Sequence, residues 1–198
     1  MSSIHAIVLT GGEGKRMGRI DKAQVRVGGV RLLDAVLDQL PGPEMLTVVS
    51  PRDKLDLPEG VRQVSEKPAF GGPVAGIAEA FDDTCRYTMV LPTDAPDAPA
   101  LIAPMYHHLR AHEDADVVAI RDAEGVVQPL CSLWRTPALR AALDAVVAAH
   151  GGSRDAAAKE LLANATVTIM EGTGEEADYD TLEELAERGE VRIPESEN

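Results

Sequence analysis

The chain has 198 residues, 44% of them apolar and 3% aromatic, with a formal net charge of −14. That length suffices for one α/β core filled by aliphatic side chains, and an acidic chain with few aromatic rings does not fit a binder of duplex or single-stranded nucleic acid. No apolar run approaches the ~20 residues of a membrane helix, and Cys85 and Cys131 lie far apart without metal-ligand spacing, so the expectation is a cytoplasmic protein with two reduced, largely buried cysteines.

The start, MSSIHAIVLT, has no basic region ahead of its apolar run and does not read as a signal peptide. Ile4 to Thr10 is short, aliphatic and closed by glycines, the pattern of a buried first strand. The loop that follows holds Gly11, Gly12, Gly14 and Gly18, with Lys15, Arg16, Arg19 and Lys22. Glycines let backbone N–H groups close around an anion, and Arg and Lys add full charges, so the loop reads as a phosphate cradle. Two glycine motifs fail here. A Walker A loop needs Ser or Thr after its Gly-Lys, and Arg16 follows Gly14-Lys15; a dinucleotide fingerprint begun at Gly12 meets Met17 at its last glycine. The charge around the loop is uneven in the same sense: residues 1–31 carry six basic residues against two acids, and residues 171–198 two against eleven. A positive site on a negative body suits a small polyanion brought in with a divalent cation, although much of the acidic tail reads as solvated surface.

Further along, Gln24–Val27 alternates and turns at Gly28-Gly29, and Leu32, Leu33, Val36, Leu37 and Leu40 have helical spacing ended by Pro41. Met45–Ser50 and Val61–Ser65 read as strands, with a charged connection or short helix between them. Gly71, Gly72 and Pro73 break the chain just before an apolar helix, with Pro73 suited to its first turn. Tyr87–Leu91 reads as a central strand stopped by Pro92, which leaves Asp94 past its C-terminal end, where open α/β sheets bind ligands. A carboxylate there can hold Mg²⁺ or cap the helix expected over Ala98–His112; Asp97 could cap equally well. His107, His108 and His112 on that helix read as a solvated face rather than a zinc site. Ala115–Arg135 reads as a hairpin turning at Asp122–Gly125, with Trp134 in the core. Thr136–Ala149 is a helix, Ser153 a cap for another through about Leu162, and Ala165–Met170 a strand. Thr181 or Asp180 can cap a last helix, and residues after Gly189 read as a frayed tail. Strands alternating with helices predict a three-layer α/β fold, Rossmann-like with a mostly parallel sheet and a late hairpin insertion, as a single domain over residues 1–188.

The run LTGGEGKRMGRIDKA, Leu9 to Ala23, is similar to the signature L-A/T-G-G-x-x-x-R-M-G-x-x-D-K of the molybdenum cofactor guanylyltransferases, the MobA family of nucleotidyltransferases. Gly72–Gly76 resembles the family's G-P-L-A-G segment, Asp94-Ala95-Pro96 its D-x-P, and Gln128–Arg135 its Q-P-L-x-x-x-Y/W-R strand. Asp178–Leu185 resembles N/D-x-N/D-T-P-E-D-L, with Leu182 in place of Pro and Glu184 in place of Asp. The resemblance implies attack on the α-phosphate of GTP by the phosphate of molybdopterin or its molybdenum form, release of pyrophosphate, and a guanine dinucleotide product destined for molybdoenzymes. It implies Arg16, Lys22 and Asp94 as catalytic residues, nucleotide contacts from Leu9, Thr10, Gly11, Gly12, Lys22, Gly72 and Asp94, and Mg²⁺ on Asp94. Asp180 is either a second metal ligand or a cap. CTP-dependent relatives usually carry Ala-Gly where this chain has Gly11-Gly12, which favours GTP; a non-catalytic nucleotide or pterin binder is the other alternative. Nothing in the sequence demands a second subunit, so a monomer is the expectation.

Overall fold

The computed structural model describes residues 3–10, 22–51, 55–67 and 71–193. β1 (Ile4–Leu9) is buried along its whole length. It pairs in parallel with β4 (Met45–Val49) on one side and β6 (Tyr87–Pro92) on the other, so it lies inside the sheet. β5 (Arg62–Val64) extends the parallel ladder beyond β4. On the far side of β6 comes the hairpin of β7 (Val117–Arg121) and β8 (Val127–Arg135), and then β9 (Val167–Glu171). The order is β5-β4-β1-β6-β8-β7-β9. β8 runs antiparallel to both β6 and β7, while β7 and β9 are parallel. The late hairpin insertion in a mostly parallel sheet is therefore as the sequence predicts.

Period-two alternation sends side chains to both faces. Tyr87, Met89 and Leu91 join Ile102, Met105 and Leu109 of α3 (Ile102–Ala111). Val8 and Val48 meet Leu33, Val36 and Leu37 of α1 (Leu32–Gln39). Ile7, Leu9, Val90 and Trp134 pack on Val74 and Ile77 of α2 (Pro73–Ala80) and on Leu139 and Leu143 of α4 (Thr136–His150). The sheet thus lies between two helical layers. Pro73 occupies the first turn of α2, Trp134 is 1% exposed, and both cysteines are buried, each as read from the sequence. Among the described residues no helix is long and apolar enough to cross a membrane.

Gly76 sets how closely α2 approaches the sheet. A Cβ there would come within 2.9 Å of Val49 Cγ1 on β4, a separation no real Cβ contact tolerates. His5, the second residue of β1, is fully buried and its Nε2 meets Thr47 Oγ1 of β4 at 2.8 Å. Burial, reinforced by the nearby Arg62 charge and only partly opposed by Asp82, lowers the His5 pKa to about 4. Arg135, the last residue of β8, caps the end of α3: its guanidinium donates to the carbonyls of Ala115 at 2.8 Å, Leu109 at 3.1 Å and His112 at 3.3 Å.

Three expectations need correction. The helix after Ser153 is shorter than its spacing suggests: α5 covers Lys159–Ala163. Asp155 is left-handed at φ +58° and donates its amide to Gly71 O at 2.7 Å, which breaks helical continuity. The helix expected from Ala98 opens as a 3₁₀ turn, Ala98–Leu101, before α3. The chain after Gly189 is not simply frayed. β10 (Val191–Arg192) pairs antiparallel with β2 (Arg26–Val27), which pairs with β3 (Val30–Arg31) across the Gly28-Gly29 turn. α6 (Leu182–Ala186) accompanies this small sheet and buries Leu185 against Val25 and Leu32. Leu182, at the position where the resembled motif has Pro, packs against the same cluster.

Candidate active site

The parallel strands β1 and β6 end side by side, and two threonines fasten the ends. Thr93 donates both its amide and its hydroxyl to Leu9 O, each at 3.0 Å. Thr10 does the same to Val49 O, each at 2.9 Å. The chain therefore leaves β6 on a fixed path into Asp94. Lys22 is held from the other side. It opens a 3₁₀ turn, Lys22–Gln24, whose Ala23 is buried with Val8 and Leu33.

Between these anchors Lys22 reaches two carboxylates. Its Nζ lies 2.9 Å from Asp94 Oδ2 and 2.8 Å from Asp180 Oδ1, and it donates to Tyr179 O at 3.3 Å. Seventy-two residues separate Lys22 from Asp94 and 158 separate it from Asp180, so the cluster is a product of the fold. Burial works against the Lys22 charge, but the hydrogen bonds and charges of Asp180 and Asp94 outweigh it and raise its pKa. Asp178 shares the neighbourhood. Burial and then the charges of Asp94 and Asp180 raise its carboxyl pKa, with Lys22 opposing them. Among the described residues, the Lys22 ammonium is thus the cation that faces this group of carboxylates.

That donor set fits a hard divalent cation. Among the described residues no group of three or more His, Cys, Asp or Glu is arranged to hold a metal ion by itself. Two carboxylates completed by phosphate oxygens and water are the usual Mg²⁺ arrangement in phosphoryl-transfer sites. The His107–His112 cluster is not part of it: His108 Nε2 meets Thr168 Oγ1 at 3.0 Å and its ring stacks on His112.

The capping alternatives are now decided. Thr181 caps α6, accepting from Glu184 N at 3.2 Å while Glu184 reaches back to the Thr181 amide at 3.0 Å, a complete capping box. Asp180 has its carboxylate on Lys22 instead. Asp97 precedes the 3₁₀ turn without a side-chain capping bond, and its carboxylate goes to Arg188.

Gly72 stands ahead of α2 at φ +90°, a conformation that favours glycine, with Asp155 backbone atoms 3.8 Å from where a Cβ would be. Leu9 is buried in the core at 6% exposure, and its carbonyl accepts both bonds from Thr93. Gly11, Gly12, Arg16 and Asp21 lie outside the described residues. The structure thus brings together Lys22, Asp94 and Asp180, and adds Asp178, Tyr179, Asp97 and Arg188, which the sequence reading gave no part in the chemistry. The pairing of Asp97 with Arg188 joins residues 91 apart, and no local pattern signals it.

Residues 6–166 match the family described as the MobA-like NTP transferase domain. A molybdenum cofactor guanylyltransferase of Shewanella baltica is 31% identical over 152 residues, 75% of this chain and 76% of that protein. One from Cereibacter sphaeroides is 34% identical over 137 residues, 66% of this chain and 68% of its own length. The crystal structure of molybdopterin-guanine dinucleotide biosynthesis protein A from Archaeoglobus fulgidus has the same fold, with a TM-score of 0.68 at 17% identity, covering 93% of this chain and 96% of that one. With a family match over most of its length and relatives above 30% identity, this chain belongs to the MobA-like NTP transferase family and is a nucleotidyltransferase.

Proposed function

We propose that this enzyme transfers GMP from GTP to the terminal phosphate of molybdopterin or its molybdenum form. An acceptor phosphate oxygen forms a bond to the α-phosphorus, the α–β phosphoanhydride bond breaks, and pyrophosphate leaves. The observation that carries the reading is the Lys22 ammonium between Asp94 and Asp180 at the ends of β1 and β6, in a chain whose relatives are named molybdenum cofactor guanylyltransferases.

Two polyanions must meet, so the protein's task is to position them and offset their charge. Asp94 and Asp180 would hold Mg²⁺, which supplies charge neutralisation at the phosphate oxygens. Lys22 turns its ammonium to the α-phosphate as negative charge builds there. Arg16, assigned from the sequence motif alone, binds the triphosphate and steadies the departing pyrophosphate. Leu9, Thr10, Gly11, Gly12 and Gly72 shape the wall on which the base rests. The product passes to molybdoenzymes, and the enzyme works as a monomer. Pyrophosphate release with purified molybdopterin tests the reading: release with GTP and Mg²⁺ supports it, release only with CTP makes the chain a cytidylyltransferase, and binding without release makes it a carrier.

A further inference from the structure

Asp94 and Asp97 belong to the loop leaving β6, and Asp178 and Asp180 to the loop entering α6. The two loops are joined by no strand ladder, and like charges on them repel. Lys22 offsets that repulsion from within. A second cation does so from outside. Arg188 Nη2 donates to Asp97 Oδ1 at 2.8 Å, and its Nη1 is shared between Asp97 Oδ2 and the Tyr179 hydroxyl, the latter at 2.8 Å. The guanidinium lies 5.1 Å from the Tyr179 ring centroid. Tyr179 in turn donates its amide to Asp94 O at 3.0 Å and accepts from Lys22 Nζ through its carbonyl. One residue thus touches Arg188, Asp94 and Lys22.

Arg188 is itself anchored. Its amide donates to Leu185 O at 3.1 Å, and Leu185 is fully buried against Val25 and Leu32. The Asp97 hydrogen bonds, outweighing partial burial, raise the Arg188 pKa. The family match ends at residue 166, so this contact is read from the geometry of this chain.

We propose that Arg188 is a positioning residue: by tying Asp97 to Tyr179 it fixes the separation of the two acidic loops, and with it the separation of Asp94 and Asp180. The inference rests on the reading of those two carboxylates as the divalent-cation site. A planar fork that takes both Asp97 oxygens and a phenol at once cannot be reproduced by an ammonium, so Arg188→Lys is expected to restore only part of what Arg188→Met removes.

The test uses ligand-free protein. Hydrogen exchange at the Tyr179 amide reports whether the loops stay joined, and the loss of the free Mn²⁺ paramagnetic resonance signal reports metal affinity, with Mn²⁺ alone as the probe. In Arg188→Met the Tyr179 amide loses protection while β1 and β6 amides keep theirs, and the Mn²⁺ dissociation constant rises about tenfold or more, the usual effect of losing a residue that orients metal ligands. Arg188→Lys falls between. A Tyr179 amide that stays protected overturns the proposal. So does an Mn²⁺ affinity equal in all three proteins, which would make the contact purely structural. Wild-type protein that binds no Mn²⁺ overturns the proposal, whereas the metal assignment, which counts on phosphate oxygens to complete the site, and the proposed transfer reaction stand or fall separately on Mg²⁺-dependent pyrophosphate release.

Discussion

Lys22 is an internal counter-ion, bonded to Asp94 and Asp180. On the proposed reading, Asp94 and Asp180 would hold the divalent cation, which would supply charge neutralisation there, and the Lys22 ammonium would then serve the α-phosphate, where charge grows in the transition state. Lys22→Met is therefore expected to lower kcat by about 10²–10³-fold, the cost of losing one preorganised charge donor. GTP affinity is expected to change far less, because on the proposed reading the triphosphate would keep its metal and Arg16. Single-turnover rates beside equilibrium nucleotide titrations check this, and equal losses in both would remove Lys22 from the transition state. The places of these residues can be read in the sequence, since Lys22 closes the glycine loop, Asp94 follows a strand and Asp180 precedes a helix, while the roles proposed for them come from the family resemblance. The pairing of Asp97 with Arg188 cannot, since an ion pair between surface residues 91 apart leaves no local trace.

At the scale of elements, α2 carries Gly72 at its entrance and depends on Gly76 to lie against β4. Gly76→Val puts a branched side chain against Val49, and the overpacking is expected to cost about 2–3 kcal/mol. Urea denaturation checks it; a midpoint equal to that of the wild type would show that α2 shifts freely. β1, β4, β6, α2 and the β7–β8 hairpin could be read from period and punctuation, since proline and glycine mark their ends. β10 could not. Two residues of strand have no periodicity, and β10 exists because β2 offers a partner more than 160 residues earlier in the chain. α5 was overestimated because Asp155 spends its amide on Gly71, a tertiary demand that overrides local spacing.

Across the whole molecule, the sheet is built around a strand that buries a neutral histidine near its start. His5 has its folded pKa lowered to about 4 from 6.5. The unfolded chain therefore binds a proton that the native protein refuses between those values. The sign follows: the contribution is fully present above pH 6.5 and is lost as pH falls through that window towards 4. Global stability is expected to drop by about 2–3 kcal/mol between pH 7 and pH 4.5 on this account alone. His5→Gln keeps a donor towards Thr47 without the titration and should show a correspondingly shallower loss. Identical pH slopes in urea denaturation would mean that His5 does not set acid stability.

The same architecture brings the ends of β1 and β6 together with the C-terminal segment, and this junction is where we propose that a guanylyl group is transferred. The most direct measurement is pyrophosphate release by the purified chain with molybdopterin and Mg²⁺, given GTP, CTP or ATP in parallel, with Asp94→Asn as the control. The expected result is GTP-dependent release that needs molybdopterin, falls steeply with CTP and ATP, and is lost in Asp94→Asn. Release that prefers CTP, or that survives Asp94→Asn undiminished, would contradict it.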